Sequence, residues 1–236
     1  MPCPERPGRR HWQPRSSGCA AVAVEAKICG LRRGADAAVA VRCGASYLGM
    51  ILVPDARREV RASEARDIVS AADGRPVFGV FASDAADVIL RYRDRCGLSG
   101  AQIHGALRSE VAARLRREGM RVWRVVRIAD QEDAQTAGRG VVEVDATLVE
   151  PWVEGAMGGS GTPLDLALAR VARTALAGRT MVLAGGLRPD SVAAAVTAVG
   201  PDVVDVSSGV ERVPGDKDPA LIRSFLEALV GDLPSP

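Results

Sequence analysis

Histidine occurs only at His11 and His104, and lysine only at Lys27 and Lys217. Two histidines cannot supply a three-His zinc site. Aromatic residues make up 3% of the chain, so a core has to be built from Val, Ala, Leu and Ile. No apolar run approaches the roughly 20 residues that span a bilayer. The five cysteines (Cys3, Cys19, Cys29, Cys43, Cys96) are odd in number and show no CxxC spacing. That argues against a disulfide framework and points to a reducing, cytoplasmic compartment. A net charge of +2 over 236 residues lacks the basic field that nucleic-acid binders use against phosphates. The expected partner is a small molecule, neither nucleic acid nor membrane. Since 29 of the 31 cations are Arg, the two lysines need separate explanations.

Residues 1–20 carry four Arg and one Glu, several prolines and no apolar core of the length a secretory signal needs. They are expected to form a short disordered N-terminal extension. The rest of the chain, 21–236, is expected to be one domain.

Within that domain, apolar runs alternate with amphipathic segments. Strands are expected at 21–29, 46–52, 76–81, 100–103, 121–128, 141–144, 180–183 and 203–206. Helices are expected at 34–43, 63–72, 83–96, 109–119, near 130–137, and at 163–177, 189–199 and 219–230, with Ser63 and Ser83 as N-caps. Strict β-α alternation implies a parallel sheet with right-handed crossovers. Eight units with no strand left over suggest closure into a single (β/α)8 TIM barrel, an α/β fold. An open doubly wound sheet would carry a glycine-rich phosphate turn after its first strand, and Cys29-Gly30-Leu31-Arg32 is not one.

In a barrel the chemistry sits where strands end and βα loops begin. Glycine-containing loops follow strands 6, 7 and 8. They contain Gly159, Ser160 and Gly161, then Gly185 and Gly186, then Ser207, Ser208 and Gly209. Backbone amides in such loops can hold a phosphate without lysine. Cys29 after strand 1 and Asp145 after strand 6 would face each other across the mouth as general base and general acid. Lys27, two residues before Cys29, shares its strand face, and its ammonium could favour the thiolate. Arg58 offers a planar fork for a carboxylate. Gln102 and His104 share a face at the end of strand 4, and Asp205 ends strand 8. All three are candidate substrate-lining groups.

These strings, in this order, resemble phosphoribosylanthranilate isomerases of tryptophan biosynthesis. The matching pieces are Lys27-Ile28-Cys29-Gly30, Gly79-Val80-Phe81, Gln102-Ile103-His104-Gly105, Asp145-Ala146, Gly158-Gly159-Ser160-Gly161, Leu183-Ala184-Gly185-Gly186-Leu187, Asp205 to Glu211, and Gly215-Asp216-Lys217-Asp218. The resemblance covers about residues 24–229. It implies that Cys29 is the general base, that Asp145 is the general acid, and that Arg58, with Arg57 as the alternative, contacts the anthranilate carboxylate. The implied reaction is an Amadori rearrangement that needs no metal or redox cofactor, carried out by a monomer or homodimer.

Four departures stand out. Ala56-Arg57-Arg58 replaces the family's Ser-Pro-Arg, Ser160 a Thr, and Arg124 a Lys. Glu143 stands where an apolar residue is usual, and as a buried charge it would need Lys27 or Arg124 as a partner. The competing readings are a related barrel isomerase of histidine biosynthesis, a natural-product paralogue, and a non-catalytic phosphate-binding barrel. The first typically uses Asp rather than Cys after strand 1.

Overall fold

The computed structural model describes residues 24–140, 143–155, 158, 159 and 161–230. The expected basic extension, Ser160 and half of the expected 141–144 strand lie outside them.

The strands pair in chain order and close on themselves. They are β1 (Glu25–Ile28), β2 (Tyr47–Ile51), β3 (Val77–Phe81), β4 (Gly100–Ile103), β5 (Arg121–Ile128), β6 (Ala146–Pro151), β7 (Met181–Leu183) and β8 (Val203–Val206). All neighbours are parallel, and β1 closes the barrel on β8 with Lys27 opposite Asp205. The helices between them are α1 (Gly34–Arg42), α2 (Ala62–Ser70), α3 (Ala86–Cys96), α4 (Ser109–Arg117), α5 (Gln131–Thr136), α6 (Leu166–Ala175) and α7 (Val192–Val199). The last, α8 (Pro219–Glu227), follows β8. A small hairpin of β9 (Glu211–Val213) and β10 (Asp216–Lys217) interrupts the last βα connection. No helix among the described residues is long and apolar enough to cross a membrane.

The two faces of each strand serve two cores, as the period of 2 requires. Ala26, Ile28, Leu48, Met50, Ala101, Val122, Val149 and Leu183 point outward and pack under the helices. Tyr47, Phe78, Trp123, Ala146, Leu148, Val182 and Val203 fill the barrel. Three of the few aromatics meet here, with Phe78 and Trp123 ring centroids 4.3 Å apart and Tyr47 edge-on to both. They fill one end of the interior with apolar surface, so polar groups gather at the other.

Helix starts follow local chemistry. Asp165 accepts from the Ala167 amide at 2.7 Å, and Asp218 from the Ala220 amide at 2.8 Å with Pro219 in the first turn. The expected Ser caps are absent. Ser63 lies inside the first turn of α2, which begins after Arg61, with Glu64 accepting from the Arg61 amide at 2.8 Å. Ser83 precedes α3 by three residues, and the residue before that helix, Ala85, has no side chain able to cap it.

Strand 6 is the element the sequence misplaces. β6 begins at Ala146, opposite Trp123, rather than at 141. Val144 lies before the barrel wall, and Glu143 is exposed. Its expected burial against Lys27 or Arg124 therefore falls away. Arg124 points outward instead, donating to Thr147 Oγ1 at 3.0 Å and to the Ala137 and Arg139 carbonyls.

Candidate active site

Shifting strand 6 changes which carboxylate reaches the mouth. Asp145 stands at the N-terminal end of β6. There its Oδ2 accepts from the Val122 amide at 2.7 Å and lies 3.4 Å from Arg116 Nε. Five steps of extended strand, about 16 Å, separate it from Glu150 near the C-terminal end of β6. The structure thus places Asp145 at the foot of the barrel, away from the mouth where the expected general acid would act, and its carboxylate bonds the Val122 amide there. At the mouth, in register with Arg127, stands Glu150. It is 6% exposed, and its Oε1 has no hydrogen-bond partner among the described residues. By strand parity it faces inward with Leu148.

Cys29 follows β1 directly and is buried at the mouth, its amide donating to the Val206 carbonyl at 2.8 Å. Lys27 lies below it, fully buried, with Nζ donating to Asp205 Oδ1 and Gln102 Oε1 at 2.9 Å each. Gly49 makes room for this arrangement: a Cβ there would stand 2.9 Å from both Cys29 Sγ and Lys27 Cε. Burial pulls the Lys27 ammonium down, but Asp205 and Cys29 outweigh it and the net direction is upward. Burial pushes the Cys29 thiol up. Lys27 works the other way, as its position suggested, without overcoming burial.

Arg58 and Arg57 separate cleanly. Arg57 is exposed, whereas Arg58 is 7% exposed and reaches into the mouth. Arg58 Nε and Nη2 hold Glu211 in a fork at 2.8 and 2.7 Å. Lys217 Nζ donates to Glu211 Oε1 at 2.8 Å and to the Ser207 carbonyl at 2.9 Å. The second lysine thus ties the strand-8 loop to the hairpin, while Arg58 Nη1 faces Gly159. The close passage of Arg58 explains Gly30: with φ at 70°, a Cβ there would lie 2.8 Å from Arg58 Cδ and 2.7 Å from Ser207 Oγ.

Glu211 allows a test by pH. Its burial raises the carboxyl, but the bonds from Arg58 and Lys217 prevail and leave it below its usual value of 4.5. A depressed carboxyl contributes stability that is present above the unfolded value and lost as pH falls through the native one. Urea unfolding between pH 5.5 and 3 should therefore show an acid-side decline that begins near 4.5. In Glu211→Gln that decline should be shallower. An unchanged slope would remove Glu211 from the account.

The glycine loops converge on one cleft, open to solvent. Gly159 and Gly161, Gly185 and Gly186, and Ser207, Ser208 and Gly209 line it, with Glu150 and Asp205 at its inner edge. Gly185 and Gly186 have φ of 105° and 61°, the left-handed region that turns amides toward an anion. Gln102 and His104 join the constellation from β4 but differ from expectation. Gln102 is buried, with its amide between Lys27 Nζ and His104 Nε2. Asp205 is likewise engaged by Lys27. Glu150 is the group that the sequence reading missed. The signal for it was the glycine loop itself, because a strand should end shortly before that loop.

The family model described as N-(5'-phosphoribosyl)anthranilate (PRA) isomerase matches residues 26–228. The N-(5'-phosphoribosyl)anthranilate isomerase of Rubrobacter xylanophilus is 36% identical over 203 residues, covering 86% of this chain and 97% of the relative. That of Granulibacter bethesdensis is 37% identical over 210 residues, covering 87% and 97%. Among solved structures, the phosphoribosyl anthranilate isomerase of Thermotoga maritima superposes with a TM-score of 0.77 at 31% identity, covering 88% of this chain and 99% of that one. A phosphoribosyl anthranilate isomerase in complex with reduced 1-(o-carboxyphenylamino)-1-deoxyribulose 5-phosphate superposes at 0.75 and 29% identity, covering 88% and 99%.

Proposed function

The chain belongs to the N-(5'-phosphoribosyl)anthranilate isomerase family, and from that premise we propose that it catalyses the Amadori rearrangement of N-(5-phosphoribosyl)anthranilate in tryptophan biosynthesis. The product is 1-(2-carboxyphenylamino)-1-deoxyribulose 5-phosphate. The observation that carries this reading is the buried Glu150 carboxylate, whose Oε1 has no hydrogen-bond partner among the described residues, at the edge of a glycine-lined cleft whose barrel mouth also holds Cys29.

Glu150, protonated, donates to the furanose ring oxygen. The C1–O bond breaks and the anilino nitrogen lone pair forms a C=N bond, giving an open-chain iminium. The Cys29 thiolate then removes the C2 proton, and the electron pair left behind becomes a C1=C2 double bond. The resulting enolamine tautomerises as its O2 proton is lost and C1 gains one, giving the ketone. Only protons move, so the steps call for no metal or redox cofactor. The cleft amides hold the phosphate, with Ser207 and Ser208 beside them, and Arg58 receives the anthranilate carboxylate at its free edge near Gly159. Gripping both ends of the substrate supplies orientation. We assign the isomerase unit to residues 21–236, outside the basic extension. It acts on a phosphorylated small molecule in the cytoplasm, as a monomer or homodimer, with no nucleic-acid or membrane partner.

The test is the loss of fluorescence as purified protein consumes phosphoribosylanthranilate, with the ribosylamine of histidine biosynthesis as the parallel substrate. Turnover of the first is expected. Turnover of the second alone would move the protein to the related isomerases.

A further inference from the structure

Five groups on or directly after four strands are linked across the mouth. Asp205 on β8 holds Lys27 on β1, whose Nζ donates to Gln102 Oε1 at 2.9 Å. Gln102 Nε2 lies 2.9 Å from His104 Nε2. His104 Nδ1 lies 3.5 Å from Glu150 Oε1. Those last two atoms are both buried, and neither has a hydrogen-bond partner among the described residues.

The chemistry of the first member sets the direction of the rest. An ammonium has three donors and no acceptor, so the amide must present its oxygen to Lys27. The Gln102 NH2 group is thereby turned to His104, and it can only donate. His104 Nε2 must then carry the lone pair. A neutral imidazole with a bare Nε2 carries its proton on Nδ1.

We infer that Gln102 and His104 are positioning residues for the proton donor: together they orient the His104 Nδ1–H at the Glu150 carboxylate. This rests on the assignment of Glu150 as the acid. Once Glu150 has given its proton to the ring oxygen, its Oε1 is a buried carboxylate oxygen with no hydrogen-bond partner among the described residues. Closing the gap by roughly 0.6 Å makes the Nδ1–H bond a charge-assisted one. That bond is stronger to the carboxylate than to the carboxylic acid, so it favours the step in which the proton leaves. Gly158 allows the approach from above, since a Cβ there would meet His104 Cε1 at 2.7 Å and Glu150 Oε2 at 3.1 Å. The chain also explains why Gln102, expected to touch substrate, has its amide committed below the cleft.

The scarcity of histidine makes the test direct, because the only other one is His11. In 15N-histidine-labelled protein at pH 7.5, two-bond 15N–1H spectra should show His104 with a protonated Nδ1 and a bare Nε2. His11→Asn identifies the signal. Gln102→Glu offers Nε2 an acceptor and should move the proton there. It should also lower kcat by about tenfold or more while KM stays within about twofold, the pattern for an interaction made in the transition state. An Nε2–H tautomer or an imidazolium in the unaltered protein would overturn the inference, whether or not the variant folds. So would a tautomer switch in Gln102→Glu with kcat unchanged. The tautomer is read without substrate. A protein with the Nδ1–H form that ignores phosphoribosylanthranilate would therefore refute the proposed reaction and leave this geometry standing.

Discussion

Replacing Glu150 by Gln should cost roughly 10²–10⁴-fold in kcat for phosphoribosylanthranilate, the range of a positioned proton donor, whereas Asp145→Asn should leave turnover near that of the unaltered protein. The amide at 150 is nearly isosteric and keeps the cleft lined, so phosphate binding should persist and the loss should fall on kcat. Ring opening then lacks its proton, and the C1–O bond has to break toward an unstabilised alkoxide. At position 145 the argument reverses. That carboxylate accepts from the Val122 amide and pairs loosely with Arg116 across a partly exposed surface. An Asn oxygen can still accept the backbone bond, and the lost surface pair is worth about 0–1 kcal/mol. The fluorescence assay on both variants, with thermal melts to confirm folding, decides between them. A dead Asp145→Asn beside an active Glu150→Gln would restore the acid to the foot of the barrel and refute the site described above.

That reversal shows where sequence reading stops. Alternation of apolar runs and amphipathic segments was enough for the barrel, because most strands are apolar on their outward face, as at Ala26 and Ile28 or Val204 and Val206. Cys29, Arg58 and the glycine loops were legible because each stands directly after a strand or in the loop that follows it. Strand 6 failed for a physical reason. Its true span carries Thr147, which bonds Arg124 on the outer face, Glu150, which faces the mouth, and Pro151, so polar groups on both faces erase the apolar signature of a strand. The more apolar stretch before it drew the boundary five residues too early and carried the carboxylate assignment with it. Gln102 and Asp205 were found as polar groups at strand ends. Their partners were not, since pairing Lys27 with both depends on three-dimensional register across β1, β4 and β8. The distinction between Arg57 and Arg58 likewise needed the structure, because only the path of the loop buries one and exposes the other.

Converting Cys29 to Ser should reduce kcat by about 10³-fold or more while product still binds within a few-fold of normal. The reasoning concerns when the thiolate forms. Burial holds the thiol above its ordinary value of 9.0, and Asp205 adds to this, while Lys27 and Lys217 pull it down without prevailing. In the free protein at pH 7 the sulfur is therefore mostly protonated. Its alkylation by iodoacetamide, followed on the Cys29 peptide, should be slower than that of free cysteine and should climb as pH rises past 9. During turnover the acid step forms an iminium cation beside the reacting carbon, with the matching negative charge on Glu150; a positive charge within reach of a thiol favours its ionised form, the thiol proton leaving to solvent through the open cleft. Proton donation by Glu150 would thus prepare the base as well as open the ring, so the base need not be stored as a reactive anion. A hydroxyl cannot follow the same course, because one cation does not bring an alcohol into range. Fluorescence titration with product separates binding from chemistry in the Ser variant. Near-normal turnover there would show that another group takes the C2 proton, and fast alkylation at neutral pH would show that the thiolate is present before substrate arrives.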